Sequence, residues 1–164
     1  MPDGSKGVPM AITAPSDVVR HVGDTDAPWA GTGAGVDLKV VRYDRTRGTW
    51  VIRNRFRPGV RLQIHRHTGP VDGFTLSGRW HYLEYDFYST PGSYIYEPAS
   101  SVHTLDVPED NTEDTDVLFV IEGALLHLDP DGKVESTTDG PGILEVYYAL
   151  LEAQGDPRPN GLIV

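Results

Sequence analysis

Six histidines stand at positions 21, 65, 67, 81, 103 and 127, and two of them, His65 and His67, flank a single residue inside a strand-like run. Side chains two apart on a strand leave the same face with Cβ atoms about 6.5–7 Å apart. Both imidazoles can then reach one metal ion at about 2.1 Å, so a strand-borne His-x-His is two-thirds of a metal site. The same pair also reads as two surface histidines on an edge strand. The chain has no cysteine, which excludes thiolate zinc sites, iron–sulfur clusters, disulfides and thiol nucleophiles, and leaves His, Asp, Glu or main-chain oxygen to hold any metal. Residues 108–116 carry five acids in nine positions but lack the Asp-x-Asp-x-Asp-Gly order of a calcium loop, and read as a solvated connection.

The elements that must position such a site are short strands. The 18 glycines and 13 prolines are spread along the chain, as in many strands joined by tight turns. Runs rich in β-branched and aromatic residues cover Val36–Tyr43, Thr49–Phe56, Arg61–His67, Val71–Ser77, Arg79–Tyr85, Ser93–Glu97, Val102–Val107, Val117–Glu122 and Ala124–Leu128. About nine strands predict a closed or sandwiched antiparallel barrel. Ile143, Val146, Tyr147, Leu150 and Leu151 share one face of a short C-terminal helix that ends before Gly155 and caps the sheet. At 164 residues the chain is one domain by length: an N-terminal arm or edge segment over 1–35, weakly patterned, then one barrel with its helix over 36–164. A formal charge of −10 repels nucleic acid and anionic lipid. No apolar stretch is long enough to span a membrane, and the expectation is a soluble, cytoplasmic protein.

A wider frame surrounds the histidine pair. Gly59 precedes His65 by five intervening residues and Gly78 follows His67 by eleven positions; Gly92 is followed by five residues, then Pro98-Ala99-Ser100, two residues and His103. This spacing resembles the two signature motifs of the cupin superfamily, whose members are antiparallel jelly-roll barrels with one metal at the open end. The resemblance covers about residues 59–107 and implies His65, His67 and His103 as metal ligands. Two positions depart from the motif. Val71 stands where the family has a glutamate ligand, and neighbouring Asp72 is displaced by one, which on a strand turns it to the other face. That leaves three neutral histidines without a carboxylate, hence a metal with its full +2 charge. Ser100 replaces the motif glycine, so the turn before His103 is expected to avoid the conformation only glycine tolerates; Val107 replaces the motif asparagine.

The segments 58–80 and 92–105 further resemble the cupins grouped with 2,4'-dihydroxyacetophenone dioxygenase and the acetylacetone-cleaving cupins. The resemblance implies iron(II) on three histidines, a small enolisable ketone and O2 as substrates, and a homodimer. Zinc, nickel or manganese fit the same ligands, with an isomerase, hydrolase, decarboxylase or a non-catalytic metal sensor as the alternatives. Strand parity places Gln63 on the face of His65 and His67, where its amide could donate to bound oxygen. Glu97, just before Pro98, could hydrogen-bond a ligand imidazole or act as a base. Trp80, Tyr82, Tyr94 and Tyr96 recur at two-residue spacing as candidates for lining the substrate pocket. His21, His81 and His127 lie outside both motifs and are not expected to be ligands.

Overall fold

The computed structural model describes residues 19–163; of the N-terminal segment, residues 1–18 lie outside it. A two-residue strand, β1 (Ala30–Gly31), pairs with β2 (Val36–Asp44), which forms a hairpin with β3 (Thr49–Phe56). Its turn is built as the residue types require: Asp44 Oδ1 accepts the N–H groups of Thr46 and Arg47 at 3.0 Å each, and Gly48 takes φ 66°, which a side chain would strain. The chain continues through β4 (His65–His67), β5 (Val71–Ser77), β6 (His81–Tyr82), β7 (Tyr94–Glu97), β8 (Val102–His103), β9 (Leu105–Asp106), β10 (Thr115–Glu122), β11 (Leu125–Leu128), β12 (Val134–Thr138) and the helix α1 (Gly140–Gln154).

The strands form a six-stranded sheet, β1-β2-β3-β10-β5-β7, a four-stranded sheet, β12-β11-β4-β8, and the pair β6-β9. Every pairing between these strands is antiparallel, giving the expected all-β jelly-roll architecture. Alternate residues of β3 and β10, among them Trp50, Ile52, Phe56, Val117, Phe119 and Ile121, fill the space between the sheets. Burying each such side chain contributes about 1.5–3 kcal/mol. The two buried indoles keep a partner for their one donor: Trp50 Nε1 donates to the Gly123 carbonyl and Trp80 Nε1 to Thr75 Oγ1, both at 2.9 Å.

Several expected strands are shorter than their composition suggests. The run 61–67 is a strand only over its last three residues; before it, the Leu62 N–H reaches the Leu105 carbonyl at 2.9 Å. The run 79–85 contracts to His81–Tyr82, and 102–107 breaks at Thr104. β12 was not expected, because at the sheet edge its residues are almost all exposed and carry no alternation for the eye to find.

The helix starts at Gly140, earlier than its apolar stripe. Asp139 is the N-cap, accepting the Gly142 N–H at 2.8 Å, and Pro141 lies in the first turn, where a missing N–H costs nothing. Leu144, Tyr147 and Leu151 form its buried face. The described part of the N-terminal segment is laid against it: the Tyr147 hydroxyl donates to the Pro28 carbonyl at 2.5 Å, and the Gln154 amide accepts from the Gly31 N–H at 2.6 Å and donates to the Trp29 carbonyl at 3.1 Å. Asp139→Ala is expected to cost about 1 kcal/mol, read as a fall of about 2–4 °C in Tm; an unchanged melting curve would mean the cap contributes nothing.

Candidate metal centre

His65 and His67 leave β4 on one face, and the register opposes His65 to His103 on β8. All three are enclosed, at 4%, 3% and 1% exposure. One ring nitrogen of each lies within 4.8 Å of the others, near the roughly 3–3.4 Å separation of nitrogens held 2.1 Å from one ion. Two contacts orient the rings. His65 Nδ1 is 2.9 Å from the Gln63 carbonyl; a carbonyl only accepts, so Nδ1 holds the proton and the Nε2 lone pair is free. The His103 ring stacks on Tyr82 with centroids 4.0 Å apart.

The three histidines expected as ligands are the ones brought together, and the Glu97 carboxylate lies beside two of them, as its place before Pro98 suggested. Val71 is buried at the inner face of β5, and its register partner on β7 is Glu97. Glu97 therefore stands directly opposite Val71 on the next strand. Glu97 Oε2 is 3.1 Å from His103 Nε2 and 3.4 Å from His67 Nε2, while the Tyr82 hydroxyl donates to Oε1. These close approaches are not directed hydrogen bonds: Glu97 Oε2, His103 Nε2 and His67 Nδ1 are all buried with no partner. Unpaired buried polar atoms are costly, and a cation among them satisfies the converging set. Asp72 points outward as parity requires and accepts the Tyr94 hydroxyl at 2.5 Å.

Burial, with the neighbouring imidazoles adding to it, pushes His65 and His67 down to about 4, so both are neutral donors at neutral pH. Burial raises the Glu97 carboxyl, but the His103 contact, its charge and the Tyr82 hydrogen bond outweigh this and hold it below its ordinary value. Burial, then the Glu97 charge, lifts Tyr82 well above the usual phenol range, so it stays a donor to Glu97.

A cavity of about 170 Å³ opens beside the cluster, between the sheets. Its walls are chiefly apolar, from Trp50, Ile52, Phe56, Leu62, Phe119, Ile121, Leu125 and Ile143, with Tyr82 and Glu97 at the metal end. Four expected site residues are elsewhere. Gln63 does not point inward: it is exposed and donates to the Leu128 carbonyl at 2.8 Å and to Glu135 Oε2 at 2.6 Å. Regular strand geometry begins only at His65, so two-residue parity does not extend back to 63, and Leu62 takes the inward place. Trp80 is packed in the core against Tyr82 and Phe119 rather than facing the cavity. Tyr94 and Tyr96 are each 57% exposed, because Glu97 takes the inner face of β7 and fixes its neighbours' parity.

Two cavity residues were not anticipated. His127 and Asn54 both line it; the signal for His127 was its alternation with Leu125 on a run paired to the His-x-His strand, and for Asn54 its parity with Ile52 and Phe56. Ser100 also differs from expectation. It adopts φ 71°, the left-handed conformation itself, while its N–H donates to the His67 carbonyl at 2.8 Å. The turn that delivers His103 thus keeps its shape at the cost of strain, about 1–2 kcal/mol for a non-glycine residue.

The jelly roll with its inward histidine cluster defines a cupin with a candidate metal site. Residues 17–126 match the family model described as the ChrR cupin-like domain, and the chain belongs to that family. Among solved structures it is similar to a cupin-like protein of unknown function from Ralstonia eutropha, with 32% identity, a TM-score of 0.77 and coverage of 85% of this chain and 88% of that one. A second R. eutropha protein, an RmlC-like cupin, gives 27% identity and a TM-score of 0.82 over 90% of this chain and 95% of that one. Acetylacetone dioxygenase from Acinetobacter johnsonii shares the fold at 15% identity, with a TM-score of 0.69 over 82% and 93%. Among curated proteins, none matches the chain in sequence.

Two tests follow from this geometry. Folded His65 and His67 stay neutral down to about pH 4, whereas unfolded imidazoles protonate near 6.5. The unfolded state therefore binds more protons between those values, and metal-free protein, fully stable above about 6.5, loses stability as the pH falls toward 4. Denaturant midpoints flat across that window would contradict the burial argument. Ser100→Gly should relieve the turn and gain about 0.5–1 kcal/mol after the extra chain entropy of glycine is subtracted; a lowered Tm would show that the serine side chain supports the turn.

Proposed function

We propose that the protein is a non-haem iron(II) dioxygenase that cleaves the carbon–carbon bond beside a carbonyl in a small enolisable ketone, of β-diketone or hydroxyketone type. The observation that carries this reading is the set of three enclosed imidazoles and one carboxylate at the end of an apolar cavity. His65, His67 and His103 would hold the ion. Bound there, iron(II) would supply Lewis acidity toward an enolate and redox chemistry with O2. Glu97, a carboxylate at neutral pH, would accept at Oε2 the proton that leaves the ketone's α carbon, with Tyr82 fixing Oε1. The apolar walls would exclude water and keep the enolate from reprotonation.

Cavity size narrows the substrate. A cavity of about 150 Å³ holds benzene, so 170 Å³ suits a ligand of about six to eight non-hydrogen atoms. An aliphatic dicarbonyl fits within it; an aryl ketone would leave its ring in the mouth. The fold is shared with an enzyme whose name states acetylacetone as its substrate, which supports the smaller choice.

The test is elemental analysis and an oxygen electrode on full-length protein purified without oxygen. One equivalent of iron is expected, with one O2 consumed per 2,4-pentanedione, both oxygen atoms entering the two carbonyl products. His103→Ala should lose the iron and at least 100-fold of the rate. Stoichiometric zinc with no oxygen uptake across small diketones and hydroxyketones would overturn the proposal in favour of a hydrolytic or metal-sensing protein.

A further inference from the structure

The inner face of the four-stranded sheet carries more imidazole than the metal cluster uses. Register aligns Ser136 of β12, His127 of β11, His65 of β4 and His103 of β8 in one row across the sheet. His127 is thus the next residue beyond His65, one interstrand spacing of about 4.8 Å away, and it lines the same cavity. It is not among the three clustered ligands. Its Nε2 is 3.2 Å from Thr138 Oγ1, a hydroxyl that can donate or accept, so the second nitrogen, Nδ1, can present either a hydrogen or a lone pair. Nδ1 has no hydrogen-bond partner among the described residues.

The opposite sheet contributes one matching group. Asn54 is the single polar side chain on the inner face of β3, between Ile52 and Phe56, and it lines the cavity with its carboxamide making no hydrogen bond among the described residues. A half-buried amide and an imidazole lining one chiefly apolar cavity are poorly explained by packing, since an isosteric apolar side chain would serve better. They are suited to a ligand that is polar at both ends.

We propose that His127, held by Thr138, and Asn54 form a polar subsite that binds a hydrogen-bonding group of the ligand two or three bonds beyond the oxygens directed at His65, His67 and His103. The preferred ligand is then a small oxygen chelator with an additional hydroxyl or carbonyl group. This rests on the proposed function, with the enolate or dicarbonyl taken to reach the metal through two oxygens. His127 and Asn54 touch the ligand; Thr138, which also lines the cavity, positions His127.

The probes are acetohydroxamate and glycolohydroxamate, two oxygen chelators that differ by one hydroxyl and are not oxidised substrates. Their binding to full-length protein carrying one equivalent of metal is measured by calorimetry under nitrogen, alongside metal content. The wild type should bind glycolohydroxamate about 5–10-fold more tightly, the range of one added hydrogen bond. His127→Phe and Asn54→Leu should each bring that ratio toward one while metal content and acetohydroxamate affinity hold, and Thr138→Val should lower it partway. A ratio near one in the wild type, or one retained in both His127→Phe and Asn54→Leu, overturns the subsite and leaves chelation standing. Loss of metal in His127→Phe overturns it too, making His127 a support of the metal cluster. If acetohydroxamate binds metal-loaded protein no better than metal-free protein, the chelation itself fails and the subsite falls with it.

Discussion

Three imidazoles, His65, His67 and His103, are enclosed with one ring nitrogen of each within 4.8 Å of the others, and the Glu97 carboxylate lies 3.1 Å from His103 and 3.4 Å from His67 with its Oε2 unpartnered. Burial opposes the protonation of His65 and His67. The surrounding structure is largely the means of holding this cluster together. β4 supplies two rings because its three residues are regular, β8 supplies the third by direct register, and the Ser100 turn is strained into the left-handed region to bring β8 into place while bonding the His67 carbonyl. Tyr82 serves two members at once, stacking on His103 and donating to Glu97.

Val71 and Glu97 face each other directly in the β5–β7 register, and that pairing sets where the carboxylate lies. Directly opposed residues on antiparallel strands point to one face, with Cβ atoms about 4.5–5.5 Å apart. A longer side chain from β7 can therefore place its oxygens where one from β5 would have been. Val71 then becomes packing, and the β5–β7 pairing acquires a second task, since any slip in its register would turn Glu97 out of the cluster. The exposed Tyr94 and Tyr96 are consequences of the same parity.

What the sequence made legible is what local rules govern. Thr49–Phe56 and Val71–Ser77 have the bounds their composition indicates, because β-branched alternation ended by turn residues is a local signal. The histidine frame was legible because its glycines mark turns at fixed distances. Gln63 was misplaced because parity was carried past the start of a regular strand. Tyr94 and Tyr96 were misplaced because two-residue spacing says which residues share a face and not which face is inward, which tertiary pairing decides; Trp80 does face inward, but into the core rather than the cavity. His127 escaped notice for the complementary reason: its alternation with Leu125 does not say which strand the run pairs with, and only pairing with β4 brings it beside His65.

The carboxylate also changes the electrostatic demand on a ligand. Three neutral imidazoles would leave a divalent ion at +2, which favours a dianion or two anionic donors; with Glu97 ionised among them, the net charge is +1. In the reading proposed above, transfer of a neutral ketone's α proton to Glu97 leaves that net charge unchanged, the enolate carrying the negative charge that the carboxylate gives up, and burial makes any further uncompensated charge expensive. Polarity elsewhere on the ligand must then come from uncharged groups. The cavity walls agree with this, offering an amide and an imidazole that burial keeps largely neutral and no guanidinium or ammonium. A carboxylate-bearing ligand would find no counter-charge among the lining residues, which supports the small, neutral, oxygen-rich ketone proposed above.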